Sequence, residues 1–193
     1  MNFIWLVGAP AVGKMAVARK IAEKTGYKFL INHGTIELIL PIFPWEHPKF
    51  KKLSKEFRIR IFEEVATSAL PGFIFTYVSV FDDDKEKAHM KEVNKIFKDK
   101  GHDVYYVELH APLSVRLERN MHPERLDAKP SKRDTKRSED GLIRWDKEYP
   151  FMVSSDEYPF FFQENYIKIE NSKLSAEEVA ERVIEEFQLI KKV

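Results

Sequence analysis

The sequence predicts a three-layer α/β fold, a parallel five-stranded sheet with helices on both faces. Three observations carry this. Apolar runs of strand length alternate with helical patterns along the whole chain. Two of those runs, 3–7 and 73–81, are apolar almost throughout rather than alternating, as strands buried on both faces are. The first run passes into a helical pattern through Gly8-Ala9-Pro10-Ala11-Val12-Gly13-Lys14, a glycine-framed turn that belongs between a parallel strand and its helix.

The elements follow in order. Val17, Ala18, Ile21 and Ala22 make a helical stripe that Gly26 stops. Residues 27–31 read as the second strand, closed by Asn32, His33 and Gly34, with a short helix over 35–40 ended by Pro41. Pro44 and Pro48 make 42–50 irregular. An amphipathic helix over 55–70 places Phe57, Ile61, Phe62, Val65 and Ala69 on one side until Pro71-Gly72 breaks it. The third strand spans 73–81, and Asp82 to Asp84 cap a helix that runs to Lys100. A fourth strand spans 104–109, and Pro112 opens a helix as a first-turn proline. Residues 121–141 are polar, and helix returns over 134–149. The fifth strand is 166–169, and Ser175 with Glu178 forms a capping box for a last helix carrying Val179, Val183, Ile184 and Phe187 inward.

The turn after the first strand fits G-x-x-x-x-G-K, the phosphate-binding loop. Its glycines let the backbone curl around an anion, successive N–H groups point inward, and the next helix adds the positive end of its dipole. Gly8, Ala9, Pro10, Ala11, Val12 and Gly13 are therefore the expected nucleotide cradle, with Lys14 on the outer phosphates of a nucleoside triphosphate. Met15 stands where a Ser or Thr hydroxyl normally ligates Mg²⁺. In parallel sheets ligands sit at the carboxyl ends of the strands, which adds Asn32, His33, residues 79–82 and His110 to the same crevice.

Composition narrows the classes. The chain has 193 residues, enough for a single domain with a full core, with 44% apolar and 33% charged residues and a net charge of +1. That balance gives no reason to expect nucleic acid or membrane as partner. No cysteine is present, and no apolar stretch is long enough to span a bilayer. A cytoplasmic location is the expectation.

The chain resembles the small P-loop kinases, the nucleoside monophosphate, shikimate and gluconate kinase group. It is more closely similar to bacterial shikimate-kinase-like proteins of the AAA-type P-loop families whose substrates are undefined. The stretches that carry this are GAPAVGKM, INHGTIELILPIF, GFIFTYVSVFDDD, and VELHAPLSVRLERN followed by RLDAKPSKRD. The resemblance implies an ATP-dependent phosphotransferase with Mg²⁺, an acceptor-binding region over 32–70 and an arginine-bearing lid over 119–141. Arg119 resembles the arginine that packs on the adenine ring, and Arg125 the arginine that reaches the phosphates. The alternatives for the basic stretch 116–137, which also holds Arg116, Lys129, Lys132, Arg133, Lys136 and Arg137, are a solvated loop, or nuclear targeting or nucleic-acid binding by KPSKRDTKR.

On the acceptor side, Phe57-Arg58 resembles the shikimate kinase segment whose arginine clamps a carboxylate. The alternative is an ordinary arginine paired with Glu63 or Glu64. His33 is the candidate proton acceptor, or else a polar strand end, and Asn32 lies beside it. Asp82 is the candidate magnesium ligand, or else a helix cap. Trp45, His47 and Phe160-Phe161-Phe162 are candidates for the acceptor pocket or for the core. Two departures argue against shikimate itself: Asn32-His33 replaces an Asp-x-Asp, and Ser79-Val80-Phe81 replaces a glycine triplet. The leading expectation is a kinase for an unidentified hydroxyl or phosphate acceptor, and its rival a nucleotide-binding regulatory module. Acceptor identity, ATP against GTP and oligomeric state stay open, the base choice turning on the loop Glu170-Asn171-Ser172.

Overall fold

The computed structural model describes residues 1–190. Five strands, β1 (Asn2–Gly8), β2 (Lys28–Ile31), β3 (Gly72–Thr76), β4 (Asp103–His110) and β5 (Tyr166–Glu170), form one parallel sheet in the order β2-β3-β1-β4-β5. Connecting helices cover it: α1 (Lys14–Thr25), α2 (Asn32–Ile39), α3 (Pro48–Ala66), α4 (Asp84–Lys98), α5 (Leu113–Asn120), α6 (Pro123–Ala128), α7 (Thr135–Glu148) and α8 (Ala176–Glu186). The five-stranded parallel sheet with helices on both faces is as the sequence predicts.

The pleat sorts the core into two chemistries. Along β1, Ile4 and Leu6 face one side, where Val17, Ile21, Val179 and Val183 of α1 and α8 close an aliphatic layer. Phe3, Trp5 and Val7 face the other, where Phe62 of α3 and Met90, Val93 and Phe97 of α4 close an aromatic one. Phe3 stacks on Phe97 with centroids 4.0 Å apart. Inside this layer the Trp5 indole donates to Asn94 Oδ1 at 2.8 Å, and Asn94 Nδ2 donates to the Tyr106 hydroxyl at 2.7 Å. Phe160, Phe161 and Phe162 pack here against Phe81, Tyr106 and Tyr166, so core burial explains that run.

Several boundaries differ from expectation. The third strand ends at Thr76, paired with Ile31, because β2 offers no residue beyond Ile31 and β1 bends away into the glycine turn. Residues 77–81 leave the sheet and bury Tyr77, Ser79 and Phe81 instead. Asn32, His33 and Gly34 form the first turn of α2 rather than closing a strand. The α3 helix starts at Pro48, capped by His47, because Phe50 and Ser54 bury as its first inward residues. It stops at Ala66, leaving Ala69 outside, and Phe57 is exposed. The polar stretch after residue 121 holds α6 and a short 3-10 turn over Pro130–Lys132. The predicted capping box on α8 is present, with Ser175 and Glu178 exchanging hydrogen bonds.

Asn94→Ala would strand the buried Trp5 N–H and the Tyr106 hydroxyl. Urea unfolding is expected to show a loss of about 2–4 kcal/mol, the cost of leaving two buried polar groups unpaired.

Candidate functional site

The strand ends open onto one cleft of roughly 1910 Å³, larger than a single small-ligand pocket. Its floor is the turn after β1. Gly8 has φ +140°, and a Cβ there would sit 2.3 Å from the Leu109 carbonyl oxygen of β4. Only glycine lets the two backbones approach so closely. Gly13 (φ 108°) completes the bend, and Ala11 (φ 63°) takes a left-handed conformation that costs a non-glycine residue about 1 kcal/mol. Lys14 folds back over the bend, its Nζ donating to the carbonyl oxygens of Gly8 at 2.6 Å and Ala9 at 2.8 Å. Those carbonyls hold the ammonium at the head of α1.

The rim behind the bend is tied down by residues distant in sequence. The Val12 carbonyl accepts from Arg119 Nη1 and from Asn171 Nδ2, both at 2.9 Å. Arg119 also donates to the Asn171 carbonyl at 2.7 Å. Arg119 thus stands between the turn and the 170–172 loop. Asn171 was named in the sequence only for base choice, and its fastening of the loop carried no local signal.

Above the cradle, α6 and the following turn bring Arg125, Lys129 and Lys132 into the cleft. Arg125 is oriented by Nε donating to Asn120 Oδ1 at 3.0 Å, an oxygen that also accepts from Ser138 of α7. Burial pulls the Arg125 pKa down to about 10. Burial and the neighbouring Arg125 and Lys132 pull Lys129 down to about 7. Burial, then Lys129 and Arg125, hold Lys14 well below the usual lysine range. These cations concentrate positive potential over the cradle in poorly solvated surroundings, as a polyanion site requires. Arg116 is separate: it is buried, donating to the Ala111 carbonyl and paired with Asp146, and so fastens α5 to α7.

Asn32, His33 and Arg58 line the same cleft. Arg58 is not paired with Glu63 or Glu64, both of which bond Arg60. Its guanidinium lies over the Phe75 ring and donates to Thr35 Oγ1 at 2.8 Å and the Asn32 carbonyl at 3.1 Å. The Asn32 backbone N–H donates to Thr76 Oγ1 at 3.0 Å, linking the ends of β2 and β3. Trp45 stands at the cleft rim, while His47 is spent on capping α3.

Two expectations need correction. His33 Nδ1 is 3.0 Å from Glu37 Oε1. Burial and the charge of Lys129 hold its pKa at about 3, despite the Glu37 bond. The ring is neutral near pH 7 and is a weak proton acceptor, because its charged form is disfavoured. Glu37 also accepts from the Ser131 N–H at 3.1 Å and the Ser131 hydroxyl, joining α2 to the turn after α6. The helical spacing of His33 and Glu37 could have revealed that pair, but nothing local announces Ser131. The second correction is Asp82, which is exposed and lies outside the cleft lining. Asp83 lines the cleft instead and caps α4, accepting from the Lys85 N–H at 2.8 Å.

The donor set does not fit a magnesium ion held by protein alone. The Met15 side chain offers no oxygen, Asp82 lies outside the cleft lining, and no cluster of three or more metal-ligating His, Cys, Asp or Glu residues occurs among the described residues.

No family model and no curated protein matches the chain. Solved structures do. Shikimate kinase from Acinetobacter baumannii, in complex with shikimate, aligns over 96% of this chain and 92% of its own, with TM-score 0.59 and 19% identity. A gluconokinase from Sinorhizobium meliloti aligns over 97% and 91%, with TM-score 0.58 and 15% identity. The Deinococcus radiodurans tunicamycin resistance protein aligns over 100% and 99%, with TM-score 0.53 and 21% identity. The fold is that of the P-loop small-molecule kinases. Among the described residues no helix is long and apolar enough to cross a membrane.

Lys129 is expected to cost the ligand-free protein stability. Its folded pKa, about 7, lies below the unfolded 10.5, so the unfolded chain binds more protons between those values. Stability therefore rises with pH across that window. Lys129→Met should raise the melting temperature at pH 7 by about 2–4 °C, equivalent to ~1 kcal/mol for a chain of this size. The gain should shrink towards pH 10.5, and nucleotide affinity should fall.

Proposed function

We propose that this protein is an ATP-dependent small-molecule kinase that transfers the γ-phosphoryl group to a hydroxyl or phosphate acceptor other than shikimate. The observation that carries the reading is the convergence of Lys14, Arg125, Lys129 and Lys132 over a glycine-framed cradle in a cleft that also holds Arg58 and Asn32. One wall neutralises a polyanion, the other has room and donors for a second ligand. A module that only senses nucleotide needs no second wall.

In this reading the substrate is the magnesium complex of ATP, the ion arriving on the phosphate oxygens rather than residing in a protein cage. The amides of 9–14 and the Lys14 ammonium hold the β- and γ-oxygens. To do so Lys14 exchanges its bonds to the Gly8 and Ala9 carbonyls for bonds to phosphate. Arg119, between Val12 and Asn171, flanks the base. The 119–141 segment acts as a lid, carrying Arg125 to the transferring group, where its fixed charge matters more than in water. Arg58 receives an anionic group of the acceptor through its remaining N–H donors. His33, held neutral, serves as a hydrogen-bonding neighbour of that acceptor.

Two variants separate binding from turnover. Lys14→Ala should weaken ATP binding by about 100-fold in isothermal titration, the scale of one lost charge-assisted contact of about 1.5–3 kcal/mol. Unchanged affinity would remove the cradle assignment. Arg125→Ala should lower ADP formation on the order of 10³-fold while leaving ATP affinity within several-fold, as loss of a transition-state arginine does. Equal losses of affinity and turnover would contradict the lid role.

A further inference from the structure

A kinase acting on a hydroxyl needs a group that takes the acceptor's proton, and His33 is poorly suited to that task. Among the described residues, the acids lining the cleft are Glu46, Asp83, Glu86, Glu124, Asp134 and Asp140. Asp83 and Asp134 are spent as helix caps, and Glu124 pairs with Arg19 at 2.8 Å. Glu46 and Asp140 are exposed on the rim. Glu86 differs from all of these. It sits in the first turn of α4, half-buried, and its Oε2 is buried without a hydrogen-bond partner.

Its surroundings belong to the acceptor wall. The Tyr77 hydroxyl, from the chain leaving β3, lies against its carboxylate, and the Arg58 guanidinium of α3 acts on it electrostatically. Arg58 in turn bonds the Asn32 carbonyl, and Asn32 Oδ1 is itself buried and unpartnered. Arg58, Tyr77 and the neighbouring Asp83 are the charged and titratable groups that act on Glu86. We infer that Glu86, across from Arg58, is the catalytic base that receives the proton of the acceptor hydroxyl, a role resting on the kinase reading above. The acceptor O–H bond breaks towards the Glu86 carboxylate as the oxygen bonds to the γ-phosphorus. The bond from that phosphorus to the β,γ-bridging oxygen breaks, ADP leaves with the electron pair, and Glu86 later releases its proton to water. Burial and Asp83 raise the Glu86 pKa, which Tyr77 and Arg58 oppose; the net upward shift keeps its basicity closer to neutral pH than that of an exposed carboxylate.

The test measures ADP release from magnesium–ATP with water alone and with D-gluconate, D-glucose, glycerol and L-serine as hydroxyl probes. Wild type is compared with Glu86→Gln, Glu86→Asp and the Lys14→Ala background. The expected result is an acidic limb in the wild-type kcat profile that Glu86→Gln abolishes together with at least 100-fold of kcat, with ATP affinity unchanged. Glu86→Asp should restore part of the rate and the limb. Retention of kcat within threefold in Glu86→Gln, or a rise confined to the probe's KM, would overturn the role and leave Glu86 a charge partner of Arg58. Wild-type ADP release no faster than Lys14→Ala with every probe would instead overturn the kinase reading, and this role with it.

Discussion

The close approach of Gly8 to the Leu109 carbonyl governs the rest of the site. It lets β1 turn sharply against β4, and that turn aims the loop amides and the head of α1 at one point. Lys14 then closes the bend on its own carbonyls, and Arg119 with Asn171 holds the far side at Val12. The cradle is thus shaped by backbone packing and by contacts more than a hundred residues away in sequence, before any ligand arrives. Preorganisation of this kind removes part of the ordering cost of binding.

The same geometry creates an electrostatic tension. Cations gathered around a partly dry crevice lose hydration and repel one another, and the depressed pKa values of Lys14, Lys129 and Lys132 express burial first and that repulsion second. Glu37 offsets a little of it, and by bonding Ser131 it also fixes where the turn after α6 lies. In the proposed kinase reading, a bound polyphosphate relieves the remainder. The wall that carries Arg58 is balanced differently. There Arg58 faces Glu86, and Tyr77 stands between the aromatic core and the cleft.

Legibility in the sequence followed the range of the interactions. The strand runs, the glycine turn and the capping box depend on neighbours a few residues apart, and all appear in the structure at or near their expected positions. The apolar run 73–81 misled because apolarity reports burial, not hydrogen-bond partners: Phe75 is in the sheet, whereas Phe81 is buried beneath Phe160 outside it. Asp82 and Asp83 are alike in sequence, and one residue of register decides which faces the cleft. For Arg58 the sequence left anion capture and pairing with Glu63 or Glu64 open, and only the structure shows both acids paired with Arg60 instead.

By itself the sequence determined the layered α/β class and the glycine-framed turn after the first strand, because periodicity and glycine placement act through local backbone sterics. Tertiary structure alone decided which charges meet. The neutral state of His33, the fastening of Arg119 to Val12 and the seclusion of Glu86 beside Tyr77 each arise between separate elements. Desolvation and Coulomb interaction depend on distance in space, and no spacing along the chain encodes them.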